Sequence, residues 1–346
     1  MSRAPRLDSA GMWEAATSLP EQLADALDTA HRAFGPPTSG APAPTAVVGL
    51  GLGTAATACA AAAAIAGPQL SVPFVVCRGA EVPAIVGPTC LVLAVSSGPE
   101  SPETVTATRQ ALELGAPVVG IGGDGELARL AAATGFPWCP VAPEGLAARA
   151  ALGATTVSLL CALSRDGLVP DCAPSVTAAV GSLARRRDTF VADRGTAVEL
   201  ARRIGRTIPL VYGARGVAAV AARWWKACVN LNAKSPAFSA ELPALAYDEL
   251  AGWGQGGDIT RQTMTLVLLR HGGEQAPVPA LFGAVREATE EVMADILDVW
   301  AEGEDDLGRF FDLALLGELV SLEMAAREGV DPGPVPAVEQ AHGPQS

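Results

Sequence analysis

Three short stretches carry residues of the kind that hold an anionic small molecule. The run Gly49-Leu50-Gly51-Leu52-Gly53-Thr54 stands between an apolar strand pattern and an alanine-rich helix pattern. Glycines there let the backbone approach a ligand closely, and the first helical N–H groups point at whatever occupies the turn. A dinucleotide is one candidate occupant. Against it, the spacing is GxGxG rather than GxGxxG, and no acid ends a suitable second strand about 20 residues on. Arg78 follows that second strand instead. The next stretch is Ser96-Ser97-Gly98-Pro99-Glu100-Ser101-Pro102-Glu103-Thr104. Hydroxyl and amide donors at a helix N-terminus supply what a phosphate monoester needs. The plain alternative is an ordinary N-cap, Ser101-x-x-Thr104 with acids in the first turn. Lastly, Arg149 falls in the first turn of a helical pattern, where a cation opposes the dipole, and that poor local fit favours a functional reason for it.

These side chains need elements to aim them. Within residues 223–253, Arg223, Lys226 and Asn230 recur at helical spacing on one face. Ser235-Pro236 turns the backbone away from helix, Ala237-Phe238 reads as a packed corner, and Pro243 opens a second segment that Gly252-Trp253 closes. Earlier in the chain, strand patterns at residues 45–50, 72–77, 90–95, 117–121 and 137–141 alternate with helical ones. That alternation predicts a doubly wound parallel sheet. Residues 13–35 read as an amphipathic helix. Residues 165–178, rich in Gly and Pro, read as a connector, followed by a basic helix with Arg185-Arg186-Arg187. Residues 207–212, with a Gly turn at 213–216, and 265–269 predict strands of a second half. Residues 281–302 and 305–329 read as two amphipathic helices. The expected division is an N-terminal helical segment 1–36, a first subdomain 37–165, a connector 166–190, and a second subdomain 191–346 with C-terminal helices.

Composition sets the bounds. The chain has 346 residues, 49% of them hydrophobic and 18% charged, enough for two globular cores. A net charge of −13 argues against nucleic acid, since no basic stripe exists to release counterions, although amide donors on an acidic protein still bind phosphate. The seven cysteines form no CxxC pair and the three histidines are scattered, which reads as reduced, mostly buried thiols, no metal site and a cytoplasmic setting. The N-terminus lacks an apolar core of the secretory kind, and the alanine-rich run 55–66 is about a dozen residues long, below the length of a membrane span.

The segment NLNAKSPAF…LPALAYDELAGW resembles the signature of the bifunctional phosphoglucose/phosphomannose isomerases, a branch of the sugar isomerase (SIS) superfamily, which reads approximately NENAKxPAF…xPExxHNExxGW. Asn230, Asn232, Ala233, Lys234, Pro236, Ala237, Phe238, Pro243, Glu249, Gly252 and Trp253 keep its framework. The resemblance extends to the Ser96–Ser97 turn, which is similar to the family's phosphate-binding SxSGxTxET run. It extends also to residues 144–153, similar to its GxxPRAALG run with Arg149 in register, and to Gly329-Val330-Asp331-Pro332, similar to its GVDPxPV ending. The implied fold is α/β, two SIS-type doubly wound subdomains with a helical C-terminal region. The implied ligand is a sugar phosphate or related metabolite bound without a cofactor. The ligand set implied is Gly49, Gly51, Gly53, Thr54, Arg78, Ser96, Ser97, Ser101, Thr104, Arg149, Tyr247 and His342. The implied assembly is a homodimer with a shared cleft.

At the reactive positions of that signature this chain differs. Leu231 stands where the family has its base glutamate, Tyr247 where it has its histidine, and His342 where it has its final lysine; Arg149 is retained. Aldose–ketose isomerisation through a cis-enediol needs a base of moderate pKa within reach of two carbons, which Leu231 cannot be. The leading expectation is therefore a sugar-phosphate-binding protein that has lost isomerase chemistry and serves as a sensor or partner. One alternative is an active isomerase using Glu241 or Glu249 as base and Tyr247 for ring opening. Another is a structural partner in a heteromer.

Overall fold

The computed structural model describes residues 7–35, 43–96, 101–141 and 148–342, and leaves the side chains of Glu339, Ala341 and His342 outside that description. Its elements run α1 (Met12–Thr17), α2 (Leu19–Phe34), β1 (Ala46–Leu50), α3 (Gly53–Ala66), β2 (Phe74–Cys77), β3 (Cys90–Ser96), α4 (Pro102–Glu113), β4 (Val118–Gly122), α5 (Glu126–Thr134), β5 (Trp138–Pro140), α6 (Leu152–Arg165) and α7 (Ala173–Val191). There follow α8 (Thr196–Ile204), β6 (Ile208–Ala214), α9 (Val217–Asn232), β7 (Phe238–Leu242), α10 (Leu245–Asp248), α11 (Gly257–Thr263), β8 (Met264–His271), α12 (Val278–Thr289), β9 (Asp295–Ala301), α13 (Asp306–Glu328) and α14 (Pro336–His342). They form two compact units, Ser18–Ser182, and Leu183–Ser346 together with Met1–Thr17.

The first unit holds a five-stranded parallel sheet in the order β2-β1-β3-β4-β5. β1 and β4 are buried at every position, as parallel strands covered on both faces must be. The expected amphipathic helix over 13–35 is broken into α1 and α2, and Pro20 sits in the first turn of α2. α2 lies on α6 so closely that a Cβ on Gly153 would come within 2.5 Å of Leu19.

The second unit holds a four-stranded parallel sheet in the order β7-β6-β8-β9. Relative to its own first strand this repeats the order of the first sheet, so the α/β fold with two doubly wound parallel sheets stands as the resemblance implied. Two local expectations fail here. The stretch 281–302 is not one helix: α12 ends at Thr289, and residues 295–301 form β9. Leu297 and Val299 are buried while Asp298 and Trp300 face out, a period of two that the acidic residues just upstream disguise as a helical pattern. Likewise Ala237-Phe238 is not only a corner, because Phe238 opens the edge strand β7 with its ring half exposed.

α13 is buried on nearly every side and packs on α9 and α8. Its N-terminus is capped by Asp305, whose carboxylate accepts the Gly308 N–H at 2.8 Å, and Gly329 ends it in the left-handed region at φ 66°. The buried Asp312 in this helix accepts from Arg186 at 2.8 Å and from the Glu302 N–H at 2.9 Å. Arg186 also reaches Glu302 at 2.7 Å and lies over the Phe190 ring. Burial raises the Asp312 carboxyl above the usual aspartate range, against the pull of Arg186. An unpartnered carboxylate here would cost several kcal/mol, and Arg186 offsets much of that cost.

The α9–α13 contact is keyed by one large-to-small pair. Trp225 is fully buried, donates its indole N–H to the Leu313 carbonyl at 2.7 Å, and rests against Gly317. A Cβ at Gly317 would sit 2.3 Å from Trp225 Cδ1. Gly317→Ala is therefore expected to lower unfolding free energy by about 1–3 kcal/mol, read as a drop in the thermal or urea midpoint. An unchanged midpoint would show that the two helices separate freely.

Candidate functional site

In an open parallel sheet the ligand-binding edge lies outside the carboxyl ends of the strands, at the point where strand order reverses. In the first unit that point lies between β1 and β3. The register aligns Leu50 with Cys77 of β2 and with Ala94 of β3, so β1 and β2 end at one level and β3 runs two residues further, to Ser96. This brings the Gly51–Thr54 turn, Arg78 and Ser96 to one edge. Gly49 is inside β1, where a Cβ would meet the Cys59 sulfur at 2.9 Å, so its role is packing. Gly51 lets the turn pass close to β3, since a Cβ there would meet the Val95 carbonyl at 3.2 Å. Gly53 takes φ 53°, and no side chain caps the first amides of α3. The Thr54 hydroxyl donates to the Arg149 carbonyl at 3.3 Å, which ties the half-buried Arg149 to the same turn. Arg149 lies in a short 3-10 turn ahead of α6 rather than inside the helix.

Arg78 is exposed, and its charge is felt by Cys59, whose thiol burial nevertheless pushes up to about 12. The Ser96 carbonyl accepts the Gly123 N–H at 3.1 Å. Ser97, with the Gly98-Pro99-Glu100 run, lies outside the described residues, as do residues 144–147. Ser101 is the N-cap of α4: its hydroxyl accepts the Thr104 N–H at 3.3 Å and lies 2.9 Å from the Thr104 hydroxyl. Thr104 is buried, so the pair is engaged in holding the helix end.

The remaining predicted residues belong to the second unit. Leu231 is half buried near the end of α9, and its carbonyl accepts from Lys234 Nζ. Tyr247 is 89% exposed on α10. His342 ends α14, and its side chain lies outside the described ones. The polar residues of the signature are occupied in holding its corner. Asn230 donates to the Ser235 carbonyl at 3.0 Å, and Asn232 to the Ser321 hydroxyl of α13 at 2.9 Å. Lys234, at φ 52°, also donates to the Pro332 carbonyl at 3.2 Å.

Both carboxylates suggested as substitute bases have cationic or hydroxyl partners. Glu241 pairs with Arg223 at 3.1 Å. Glu249 accepts from the buried Tyr212 phenol, which in turn receives the Trp253 indole N–H at 3.3 Å. Burial first, then the Glu249 bond, holds the Tyr212 phenol well above the usual tyrosine range, so it stays a donor. Sequence reasoning placed Tyr212 at a strand end and missed this cluster; Glu249 and Trp253 four residues apart were the available signal.

The equivalent strand ends in the second unit, after β6 and β8, carry Arg215 and His271. His271 is buried, and its Nδ1 accepts the Gly273 N–H at 3.2 Å, which requires the neutral ring. Burial chiefly depresses its pKa, with Arg309 and Arg270 adding and Glu274 and Asp306 opposing. Among the described residues no group of three or more His, Cys, Asp or Glu is placed to hold a metal ion, and no helix is long and apolar enough to cross a membrane.

Two parallel sheets of the same strand order, with glycine turns at the carboxyl edge, define a doubly wound α/β protein. Residues 193–342, within the second unit, match the family model described as the bacterial phospho-glucose isomerase C-terminal SIS domain. The chain is similar to the bifunctional phosphoglucose/phosphomannose isomerase of Caldicellulosiruptor bescii, 27% identical over 78% of this chain and 80% of that protein. The corresponding enzyme of Aquifex aeolicus is likewise 27% identical over the same shares. In fold it is similar to the glucosamine-6-phosphate deaminase of Thermotoga maritima, with TM-score 0.68, 11% identity, and 95% and 98% of the two chains covered. A glucose-6-phosphate isomerase like protein from Thermus thermophilus gives TM-score 0.57 and 20% identity over 93% and 97%.

Because the folded pKa of His271 lies below the ordinary value of about 6.5, its contribution to stability is complete above that value. It is lost as pH falls through the depressed one. Urea unfolding at pH 7.5 and pH 5 is expected to show less acid loss in His271→Asn, which keeps an acceptor for Gly273, than in the unaltered chain. Identical losses would remove His271 from the acid response.

Proposed function

We propose that this chain binds a phosphorylated sugar of the hexose phosphate class and does not isomerise it, acting as a sensor of, or partner in, hexose-phosphate metabolism. The superfamily fold and the similarity to phosphoglucose/phosphomannose isomerases support the ligand class. Phosphate is assigned to the amides of the Gly51–Thr54 turn and the segment after β3, with Ser96 and Ser97. Arg149, held beside the turn through Thr54, supplies the cation. Arg78 is assigned to the same edge, and Tyr247 and His342 are proposed as ligand contacts within their own unit.

The observation that carries the loss of chemistry is the apolar Leu231 together with the engaged state of the two carboxylates suggested as substitutes. A general base must be within hydrogen-bond reach of the proton it takes. Leu231 has no proton acceptor in its side chain, Glu249 is bound to Tyr212, and Glu241 is paired with Arg223. The removal of a general base alone typically costs about 10²–10⁴ in rate. We further propose a cytoplasmic homodimer, by likeness to the family.

A thermal-shift panel of hexose 6-phosphates, 5-phosphoarabinonate and nucleotides, run beside a coupled fructose 6-phosphate isomerase assay, tests this. Stabilisation by sugar phosphates and not by nucleotides is expected, reaching about 2.7 kcal/mol at a hundredfold excess over Kd, with no turnover. Arg149→Ala is expected to abolish most of the shift. Turnover that disappears in Glu249→Gln would establish the active-isomerase alternative, and the lack of any shift would refute the binding role.

A further inference from the structure

The C-terminal end of α6 and the start of α7 bring two sulfurs together. Cys161 Sγ and Cys172 Sγ lie 3.4 Å apart, and both residues are buried, at 4% and 8% exposure. The intervening loop is closed on itself, with the Ser164 hydroxyl donating to the Pro170 carbonyl at 2.7 Å and Asp171 accepting the Ala173 N–H at 3.0 Å. Cys161 also lines a cavity of about 390 Å³ whose walls include His31, Phe34, Ser164, Arg165 and Asp171. That volume is many times the roughly 30 Å³ of a water molecule, so a small polar oxidant has room to reach Cys161, against which the Cys172 sulfur lies.

We propose that Cys161 and Cys172 form an oxidisable dithiol, a modification site at which a peroxide entering through this cavity closes a disulfide between α6 and α7. The sulfurs need to approach by roughly 1.4 Å from their present contact to reach the length of a disulfide. Cys172 is assigned as the attacking sulfur: the neighbouring Cys161 thiol favours its thiolate, against burial and the Asp171 charge. Cys59, Cys90 and Cys139 show the opposite tendency, their thiols held protonated chiefly by burial. The Cys172 thiolate attacks one peroxide oxygen and the O–O bond breaks. This forms a sulfenic acid and releases hydroxide, which takes up the thiol's former proton as water. Cys161 sulfur then attacks the sulfenic sulfur, its proton leaves with the hydroxyl as a second water, and the S–S bond forms. Two thiols and one peroxide thus give one disulfide and two waters.

The chain provides its own diagnostic. Tryptic cleavage after Arg149, Arg165 and Arg185 separates the two cysteines into peptides 150–165 and 166–185, each holding one cysteine. The full-length protein is treated with graded hydrogen peroxide, its remaining thiols are alkylated, and the non-reduced digest is analysed by mass spectrometry. The linked pair of peptides is expected at the lowest effective dose and is expected to vanish after dithiothreitol. In Cys161→Ser, Cys172 is expected to overoxidise to the sulfinic acid for want of a resolving thiol. In Cys172→Ser, Cys161 is expected to stay reduced at that dose. Recovery of the two peptides unlinked from the unaltered protein, while other cysteines oxidise, would overturn the proposal and needs no variant to fold.

Discussion

Parallel strands bonded side by side cannot set their ends independently. Once Leu50 is opposite both Cys77 and Ala94, the turns that follow β1 and β2 must leave the sheet at one level, with β3 running on to Ser96 beside them. Each turn then has to pass its neighbours without a clash, which is why Gly51 sits where a Cβ would press on the Val95 carbonyl. The placement of Thr54 against the Arg149 backbone is a consequence of the same ladder, since α3 starts where β1 has ended. A candidate ligand edge in this unit is therefore a property of strand register, with side-chain identity deciding only what that edge can bind.

The elements that the sequence made legible are those with a clean period and punctuation. β1, β3 and β4 are buried apolar runs bounded by Gly, Pro or Ser, and α13 has an aspartate before it and a glycine after it. The strand β9 was hidden because residues 287–291 are acidic and helical in character, and their pattern runs on into Asp295. β7 was hidden because it is an edge strand that begins on an exposed Phe and contains a surface glutamate. At the site, types and order were readable but engagement was not. Nothing in the spacing of Glu249 shows that a tyrosine 37 positions earlier takes one of its oxygens. The Ser101–Thr104 pair shows the converse, since the capping pattern visible in the sequence is realised in the structure.

The second unit also shows how a buried helix copes with its own polar residues. Asp312 is tolerable inside α13 because Arg186 and the Glu302 amide meet it, and Phe190 gives the guanidinium an apolar face to rest on. Fastening elements through a charge rather than through fat surface specifies a single arrangement, because any sliding of α13 strands the carboxylate.

The corner built by Lys234 connects two segments far apart in the chain. Its ammonium reaches the Leu231 carbonyl on one side and the Pro332 carbonyl on the other, while Asp331 accepts the Ser9 and Gly333 amides. The letters by which such a chain is matched to its relatives are thus the mortar of a joint. A search pattern drawn from them selects for sequences able to close that joint, whatever is or is not catalysed nearby. Kinship detected through this segment is a statement about masonry, and says nothing by itself of any reaction.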